Sequence, residues 1–398
     1  MGDGPRVHEV ILHEKRDRSP RWRHPWLLSG AVSSEPGMGA SGELVRVLAA
    51  SGDLLGHGHY SPHSQIRVRL VSFGKEEPAA DWLEAGVRAA VLRRAEDPLL
   101  AGTDAVRLIN AEGDGLPGLV VDRYAGVAVV RLATAGMAAS RAAIAEVLFE
   151  SAGVETVFER SDAVAARRDG FDPNSGVLAG APLSGPVSID ERGRLYEVDT
   201  AAGQKTGFYL DQRDARDLVQ RLSPGRRVLD LFSYTGGFAA AAARGGASGV
   251  TLVDSSAEAL ERARAHVEAN TTAPSAAAPE FVAGDAFQFV RQSREQWDVL
   301  VVDPPPLARR RGDVPKASRA YKDVLLHALH RARPGAHVLA FRCSHHVSSD
   351  LFRKIVFGAS RDADRSLQVL ATLGAPPDHP VSLDHPEGEY LSGLLLRA

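Results

Sequence analysis

The sequence is nearly without cysteine: Cys343 is the only one in 398 residues. A lone thiol excludes an internal disulfide and any cysteine-built metal cluster, and no metal is expected. A surplus of positive charge is also missing, since 47 Lys and Arg against 50 Asp and Glu leave a formal net charge of -3. The molecule is therefore no polycation, and contact with nucleic acid would need a local patch. No apolar run approaches the length of a membrane span, and the charged N-terminus has no apolar leader segment. No membrane partner and a cytoplasmic location are expected. What remains is ordinary globular composition, 44% hydrophobic and 24% charged, with length for two or three domains.

The most informative stretch is RRVLDLFSYTGGFAAAAARGG, Arg226 to Gly246. Val228 to Phe232 is a short apolar run that reads as a buried parallel strand. Ser233 to Gly237 turns the chain, and the alanines from Phe238 to Arg244 favour a helix. This is the first βα unit of a doubly wound α/β sheet, whose ligands lie beyond the carboxyl ends of the strands. A second strand, Val250 to Val253, ends in Asp254, about 20 residues past the glycines, where a carboxylate can accept from a ribose diol. A dinucleotide requires G-x-G-x-x-G so that its pyrophosphate can approach backbone. Phe232, Ser233, Tyr234 and Thr235 are too bulky for that. S-adenosylmethionine has no pyrophosphate and needs only room for its aminoacyl arm with apolar contacts, so the turn favours the methyl donor.

Read in order, residues 1–74 form a β-rich unit, with strands at Val7 to Leu12, Leu44 to Ala49 and Ile66 to Phe73. Lys15, Arg16, Arg18, Arg21 and Arg23 run into His24-Pro25-Trp26, and Arg67 and Arg69 share one strand face. Such groups beside aromatics can pair with phosphates while a ring stacks on a base. The alternative is that Trp22 and Trp26 are core and the arginines are simply solvated. Residues 75–195 make a central α+β domain. It opens with an amphipathic helix from Asp81 to Arg94, then strands at 105–110, 119–122 and 127–132, a helix from Ala138 to Glu150 and a strand from Glu155 to Glu159. Residues 196–398 hold the doubly wound sheet. Within them Ser255 to Glu258 reads as a capping box that fixes the loop of Asp254. Thr271 to Pro279 is a polar surface excursion, and Phe281 to Ala283 is a strand before Asp285.

Two strand ends carry the chemistry. Trp297 to Val302 stops at Asp303-Pro304-Pro305, because prolines cannot continue the ladder. A carboxylate with exposed carbonyls beside it suits the amino edge of a base. Val338 to Phe341 ends at Arg342-Cys343-Ser344-His345. C5 of cytosine or uracil is too weak a nucleophile to take a methyl group unaided, whereas a thiolate adding to C6 makes C5 enamine-like. That step needs one activated cysteine at the cleft. A free cysteine is generally a small buried hydrophobe; the position at a strand end favours catalysis, with Arg342, His345 and His346 able to supply positive charge. The run Arg309-Arg310-Arg311 with Lys316, Arg319 and Lys322 is suited to RNA phosphates.

RHPWLLSGA, GELVRV and SPHSQIRVRL resemble the PUA domain that opens the RlmI-like class I ribosomal RNA methyltransferases. GLPGLVVDRY and ERSD resemble their central domain, which helps shape the RNA cleft. Gln204 to Arg213 is similar to their KTG-Y-LDQR segment, and Phe341-Arg342-Cys343-Ser344 to their F-S-C-S motif. Asp378 to Val381 and His385 to Leu391 match as well. The resemblance spans nearly the whole chain. It implies a Rossmann-like methyltransferase sheet behind an N-terminal PUA domain and a central α+β domain. The activity implied is methylation of 23S ribosomal RNA at cytosine C5 with S-adenosylmethionine, with large-subunit RNA as partner, and it allows a homodimer. Cys343 would be the nucleophile and Asp303 would position the base. Phe232, Tyr234, Gly236, Asp254 and Asp285 would hold the donor, with Phe208, Gln212 and Arg213 as lid contacts. Glu387 reads equally as a proton acceptor or as an exposed turn carboxylate. Pro306 and Leu307 stand where this family usually has Lys and Phe, and Arg342 replaces a Ser. These departures keep two alternatives open: a guanine-N7 or base-amine methyltransferase with a structural Cys343, and a non-catalytic RNA-binding assembly factor. The related guanine-N7 enzymes lack the cysteine, which favours the pyrimidine.

Overall fold

A computed structural model describes residues 8–35, 39–203, 205–272, 277–344 and 346–398. Val7, Gln204, His345 and residues 273–276 of the surface excursion lie outside the described residues. The chain divides into two compact units. The first comprises Met1–Ile189, Val198–Phe208 and Pro377–Gly388, the second Asp190–Glu197, Tyr209–Pro376 and Glu389–Ala398.

In the first unit, β1 (Glu9–Leu12), β2 (Trp26–Leu28), β3 (Val32–Ser34), β4 (Leu44–Leu48), β5 (Leu54–Tyr60) and β6 (Ile66–Phe73) form a sheet in the order β2-β6-β5-β4-β1-β3. Period-two alternation buries Val10, Leu12, Val45, Val47, Val68 and Leu70 in one core. Arg67 and Arg69 do share a face of β6, and each has a carboxylate partner. Arg67 pairs with Glu35 at 3.0 Å and Arg69 with Asp169 at 3.1 Å. The partners come from segments distant in sequence, so alternation alone could not reveal them.

A second sheet of the same unit, β7 (Ala105–Asn110), β8 (Leu119–Tyr124), β9 (Val127–Leu132), β10 (Thr156–Arg160) and β11 (Ser175–Gly180), has the order β11-β10-β9-β8-β7. Only its β9–β10 pair is parallel among the described pairings. The helix Trp82–Glu96 packs Leu83, Val87, Ala90 and Val91 into the core of this sheet. The single helix expected over 138–150 is in fact two, Ala135–Ala139 and Arg141–Ser151. Thr134 caps the first through Met137, and the backbone of Ser140 leaves the helical region at ψ 11°. The division is thus a backbone feature of Ser140, whose side chain makes no cap bond to the second helix.

The hairpin β12 (Val187–Glu191) and β13 (Arg194–Val198) precedes the sheet of the second unit. That sheet contains β14 (Arg227–Leu231), β15 (Gly249–Asp254), β16 (Glu280–Ala283), β17 (Trp297–Val302), β18 (Ala332–Arg342), β19 (Gln368–Leu373) and β20 (Ser392–Arg397). Its order is β16-β15-β14-β17-β18-β20-β19, with the first five parallel and β20 antiparallel to both neighbours. The order reverses between β14 and β17, the switch point where such sheets open a crevice at their carboxyl edge. Leu229, Leu231, Leu300, Val302, Val338 and Ala340 pack on one face and Val228, Val299, Val301 and Leu339 on the other. Helices cover both faces, which is why these strands read as unbroken apolar runs.

The expected capping box is displaced by one residue. Ser256, not Ser255, caps the helix Ala257–Asn270, its hydroxyl accepting from Ala259 N at 3.1 Å. Alanine in the third helical position leaves no reciprocal carboxylate bond, and Glu258 instead pairs with Arg262 at 3.2 Å.

Candidate active site

The carboxyl ends of five adjacent parallel strands present Phe232, Asp254, Asp285, Asp303 and Cys343 along one edge of the second unit. Phe232 and Tyr234 sit at φ 63° and 48°, a left-handed backbone that costs non-glycine residues energy. The loop is fixed there by Ser233 N donating to Val253 O at 3.1 Å and Tyr234 N donating to Asp254 Oδ2 at 2.8 Å. Gly236 follows at φ 74°, and a Cβ there would stand 2.8 Å from Ala263 Cβ. Its glycine is required for backbone conformation and for the approach of the helix Ala257–Asn270. Asp254 Oδ1 accepts from Ser256 N at 2.9 Å, so each carboxylate oxygen takes one backbone bond and keeps a further lone pair.

The ring of Phe232 meets Phe287 edge-on, with centroids 5.4 Å apart, an aromatic wall beside the carboxylates. Asp285 is exposed and caps the helix Ala286–Gln292 through Gln288 N at 3.0 Å. Two carboxylates at successive strand ends and an aromatic pair beside them match the acceptors and apolar contacts that an adenosine-bearing cofactor needs. The bulky turn gives no path for a pyrophosphate.

Beyond this side of the edge, Asp303 Oδ1 lies 3.6 Å from Cys343 Sγ, which donates to it, while Oδ2 accepts from Gln212 Nε2 at 3.0 Å. Cys343 is half-buried, with part of its surface on the core that contains Phe341 and Leu391. Ser344, buried next to it, accepts from Ala308 N at 3.2 Å, tying the triple-proline loop to the end of β18. Arg342 turns to Ser344 O at 3.1 Å and Ser349 Oγ at 2.9 Å, bracing the strand end. His346 is exposed.

The segment before β14 supplies residues that spacing alone did not single out. Tyr209 packs edge-on against Tyr234, with centroids 5.7 Å apart. Burial, then the nearby Asp303 and Asp211, push its hydroxyl well above the usual tyrosine range. Asp211 accepts from Tyr390 at 2.7 Å. Arg213 is turned into the interior, its Nε 3.7 Å from Glu191. Phe208 belongs to the first unit, where its backbone N donates to Tyr124 Oη at 3.1 Å. Glu387 also lies in that unit, 3.2 Å from His24.

One more carboxylate was hidden inside an apolar run. Asp230 is buried in β14 and accepts from Ala239 N at 3.1 Å. Burial pushes its carboxyl well above the ordinary range, and Asp303 and Asp254 add to the effect. Its place inside DLF resembles any strand interior, and only the packed helix start reveals its partner.

A model of the S-adenosylmethionine-dependent methyltransferases matches residues 114–397, and a PUA-like domain model matches residues 10–73. The chain belongs to the S-adenosylmethionine-dependent methyltransferase family. This methyltransferase is 39% identical over 393 residues to the ribosomal RNA large subunit methyltransferase I of Alteromonas mediterranea, covering 97% of this chain and 98% of that one. It is 40% identical over 392 residues to the protein of the same name from Photobacterium profundum, again covering 97% and 98%. A solved structure from Streptococcus mutans, assigned to the SAM-dependent methyltransferases, superposes with a TM-score of 0.81 at 22% identity, over 99% of this chain and all of that one. Another methyltransferase, solved in complex with SAH, gives a TM-score of 0.83 at 22% identity with the same coverage. At such identity the two structures speak for the shared fold. The methyl donor of this methyltransferase is S-adenosylmethionine, and its N-terminal sheet is a PUA-like domain.

Among the described residues, no helix of the methyltransferase is long and apolar enough to cross a membrane.

Proposed function

We propose that this methyltransferase modifies C5 of a cytosine in large-subunit ribosomal RNA through a transient bond between Cys343 and C6 of the base. The observation that carries this reading is the 3.6 Å contact of Cys343 Sγ with Asp303 Oδ1 at the ends of neighbouring parallel strands. When bound, S-adenosylmethionine supplies an electrophilic methyl group. Phe232 and Tyr234 line its place, Gly236 allows the turn, and Asp254 and Asp285 offer acceptors to the ribose and the adenine amine.

Asp303 takes the thiol proton, and the thiolate of Cys343 adds to C6. The electrons of the 5,6 double bond then make C5 nucleophilic, and Asp303 holds the amino edge of the ring. After C5 has taken the methyl group, loss of its proton to a base restores the double bond and expels the thiolate, which recovers its proton from Asp303. The test is incubation with 23S ribosomal RNA bearing 5-fluorocytidine, because fluorine at C5 cannot leave as a proton. A denaturant-resistant adduct mapped to Cys343 supports the proposal. Turnover of ordinary RNA without any adduct would favour a purine or base-amine target instead.

Support for an RNA substrate comes from the relatives' names and from the first unit itself. A cavity of about 620 Å³ there is lined by Lys15, Arg16, Arg18, Trp22, His24 and Leu383 among others. Trp22 is 64% exposed and carries the guanidinium of Arg18 at 3.9 Å over its ring. An open aromatic face with cations around it is the arrangement that stacks an unpaired base and neutralises its phosphates. Trp22→Ala should weaken RNA binding about 5- to 150-fold, from a stacking contribution of about 1–3 kcal/mol. A salt titration checks the mechanism: Arg16→Ala should flatten the dependence on salt, and Trp22→Ala should not.

Donor binding gives a separate prediction. Asp254→Ala should raise the dissociation constant for S-adenosylmethionine about tenfold or more, the loss of about 1.4 kcal/mol or more. Asp254→Asn, which keeps an acceptor, should lose less. Isothermal calorimetry of each variant with the donor measures both.

A further inference from the structure

We infer that Gln212 is the positioning residue of the site and acts on the reaction through Asp303; this rests on the reading of Asp303 and Cys343 as the reacting pair. Gln212 closes the short 3-10 turn Leu210–Gln212 and is 3% exposed. Burying a primary amide is costly unless its polar atoms are bonded. Here one bond is made, from Nε2 to Asp303 Oδ2 at 3.0 Å, and Oε1 has no hydrogen-bond partner among the described residues. The amide orientation follows from chemistry, since only the nitrogen can face a carboxylate.

That single bond has a geometric consequence. The terminal torsion of an aspartate is broad and twofold, so a bond to one carboxylate oxygen fixes where the other oxygen points. Gln212 takes one oxygen, and the other is left toward the sulfur at 3.6 Å. The donor is a neutral amide, so it orients Asp303 without adding a cation beside it and leaves the other oxygen able to accept from the thiol. A lysine at this place would hold the carboxylate as firmly and neutralise it. The turn that carries Gln212 is itself fastened, because Tyr390 donates to Asp211 one residue earlier. The device thus reads from Tyr390, just before β20, to Asp211, to Gln212, to Asp303 and to Cys343.

The inference separates Gln212 from the donor contacts. In Gln212→Ala, kcat should fall about 10- to 100-fold, the scale of a misplacement near 1 Å. The affinity for S-adenosylmethionine, measured by calorimetry, should stay within about twofold. The acid limb of the rate profile should also move to higher pH, because a bond that stabilises the charged form of Asp303 is gone. Gln212→Glu preserves volume and can donate only when protonated, so it should be more impaired at pH 8 than at pH 6.

A double-mutant cycle keeps this result apart from the pyrimidine assignment. In an Asp303→Asn background, Gln212→Ala should add little further loss, since both act through one interaction. Additive losses, an unshifted acid limb, or a weaker donor affinity at unchanged kcat would each overturn the inference. Retained turnover in a Cys343 variant would instead overturn the pyrimidine reading, and leaves the coupling of Gln212 to Asp303 separately measurable. Thermal melting of every variant establishes that it is folded.

Discussion

Cys343→Ala is expected to lower methyl transfer by about 10³-fold or more while leaving donor affinity unchanged. Removing a nucleophile costs the reaction its covalent route, and losses of at least this size accompany such changes in other nucleophilic enzymes. The side chain is small and half-buried, so alanine leaves only a minor void and the fold should persist. Calorimetry with S-adenosylmethionine and a single-turnover assay with radiolabelled donor give the two halves of the result. Cys343→Ser should be nearly as inactive, because an alcohol at neutral pH adds to C6 far more slowly than a thiolate. A variant that kept most of its turnover would remove the covalent mechanism and leave Asp303 as a base-binding carboxylate in a different reaction.

Glu191→Ala is expected to be the most destabilising single change in the second unit, by about 3–5 kcal/mol. Glu191 is fully buried and accepts from Arg216 Nε at 2.7 Å and Nη2 at 2.5 Å and from Arg194 Nη2 at 3.0 Å. Arg213 stands within 3.7 Å of the same carboxylate. Without Glu191, three nearly inaccessible guanidiniums would lose their common anion, and their uncompensated burial is what costs the energy. A fall in melting temperature of about 6–20 °C should follow for a unit of this size.

The same cluster sets a pH dependence. Burial by itself would raise the carboxyl of Glu191, but Arg216, with Arg194 and Arg213, pulls it down to about 2. A carboxyl depressed in the folded state stabilises the protein fully above its ordinary value of 4.5 and loses that contribution as pH falls toward 2. Stability should therefore drop across this interval, and the drop should be shallower in Glu191→Gln. Denaturant melts at pH 6, 4 and 3 measure it.

Much of the site was legible because it lies where a chain changes character. Apolar runs ending at Phe232, Asp254, Asp303 and Cys343 announce parallel strands and their carboxyl ends, and the pattern of alternating strands and helices brings those ends to one edge. Local hydrogen bonding was less legible. Ser256 displaces the expected box, and Ser140 divides a helix that propensity would have continued. Each depends on a backbone angle or a hydroxyl bond that composition does not fix. Arg67 and Arg69 illustrate the largest gap, since their carboxylates come from residues 32 and 100 positions away, Glu35 and Asp169.

By itself the sequence determined that this protein is an α/β chain with a bulky turn after its first parallel strand, a single thiol and a basic, aromatic N-terminal run. Those properties follow from short periods and from residue chemistry, which act over a few positions. Only the tertiary structure decided that Gln212 faces Asp303, that Arg213 belongs to an interior ion cluster, and that Tyr390 braces Asp211. Such pairings join residues up to 179 positions apart, and they arise because packing two faces of a sheet leaves each buried polar group only the partners that folding brings to it.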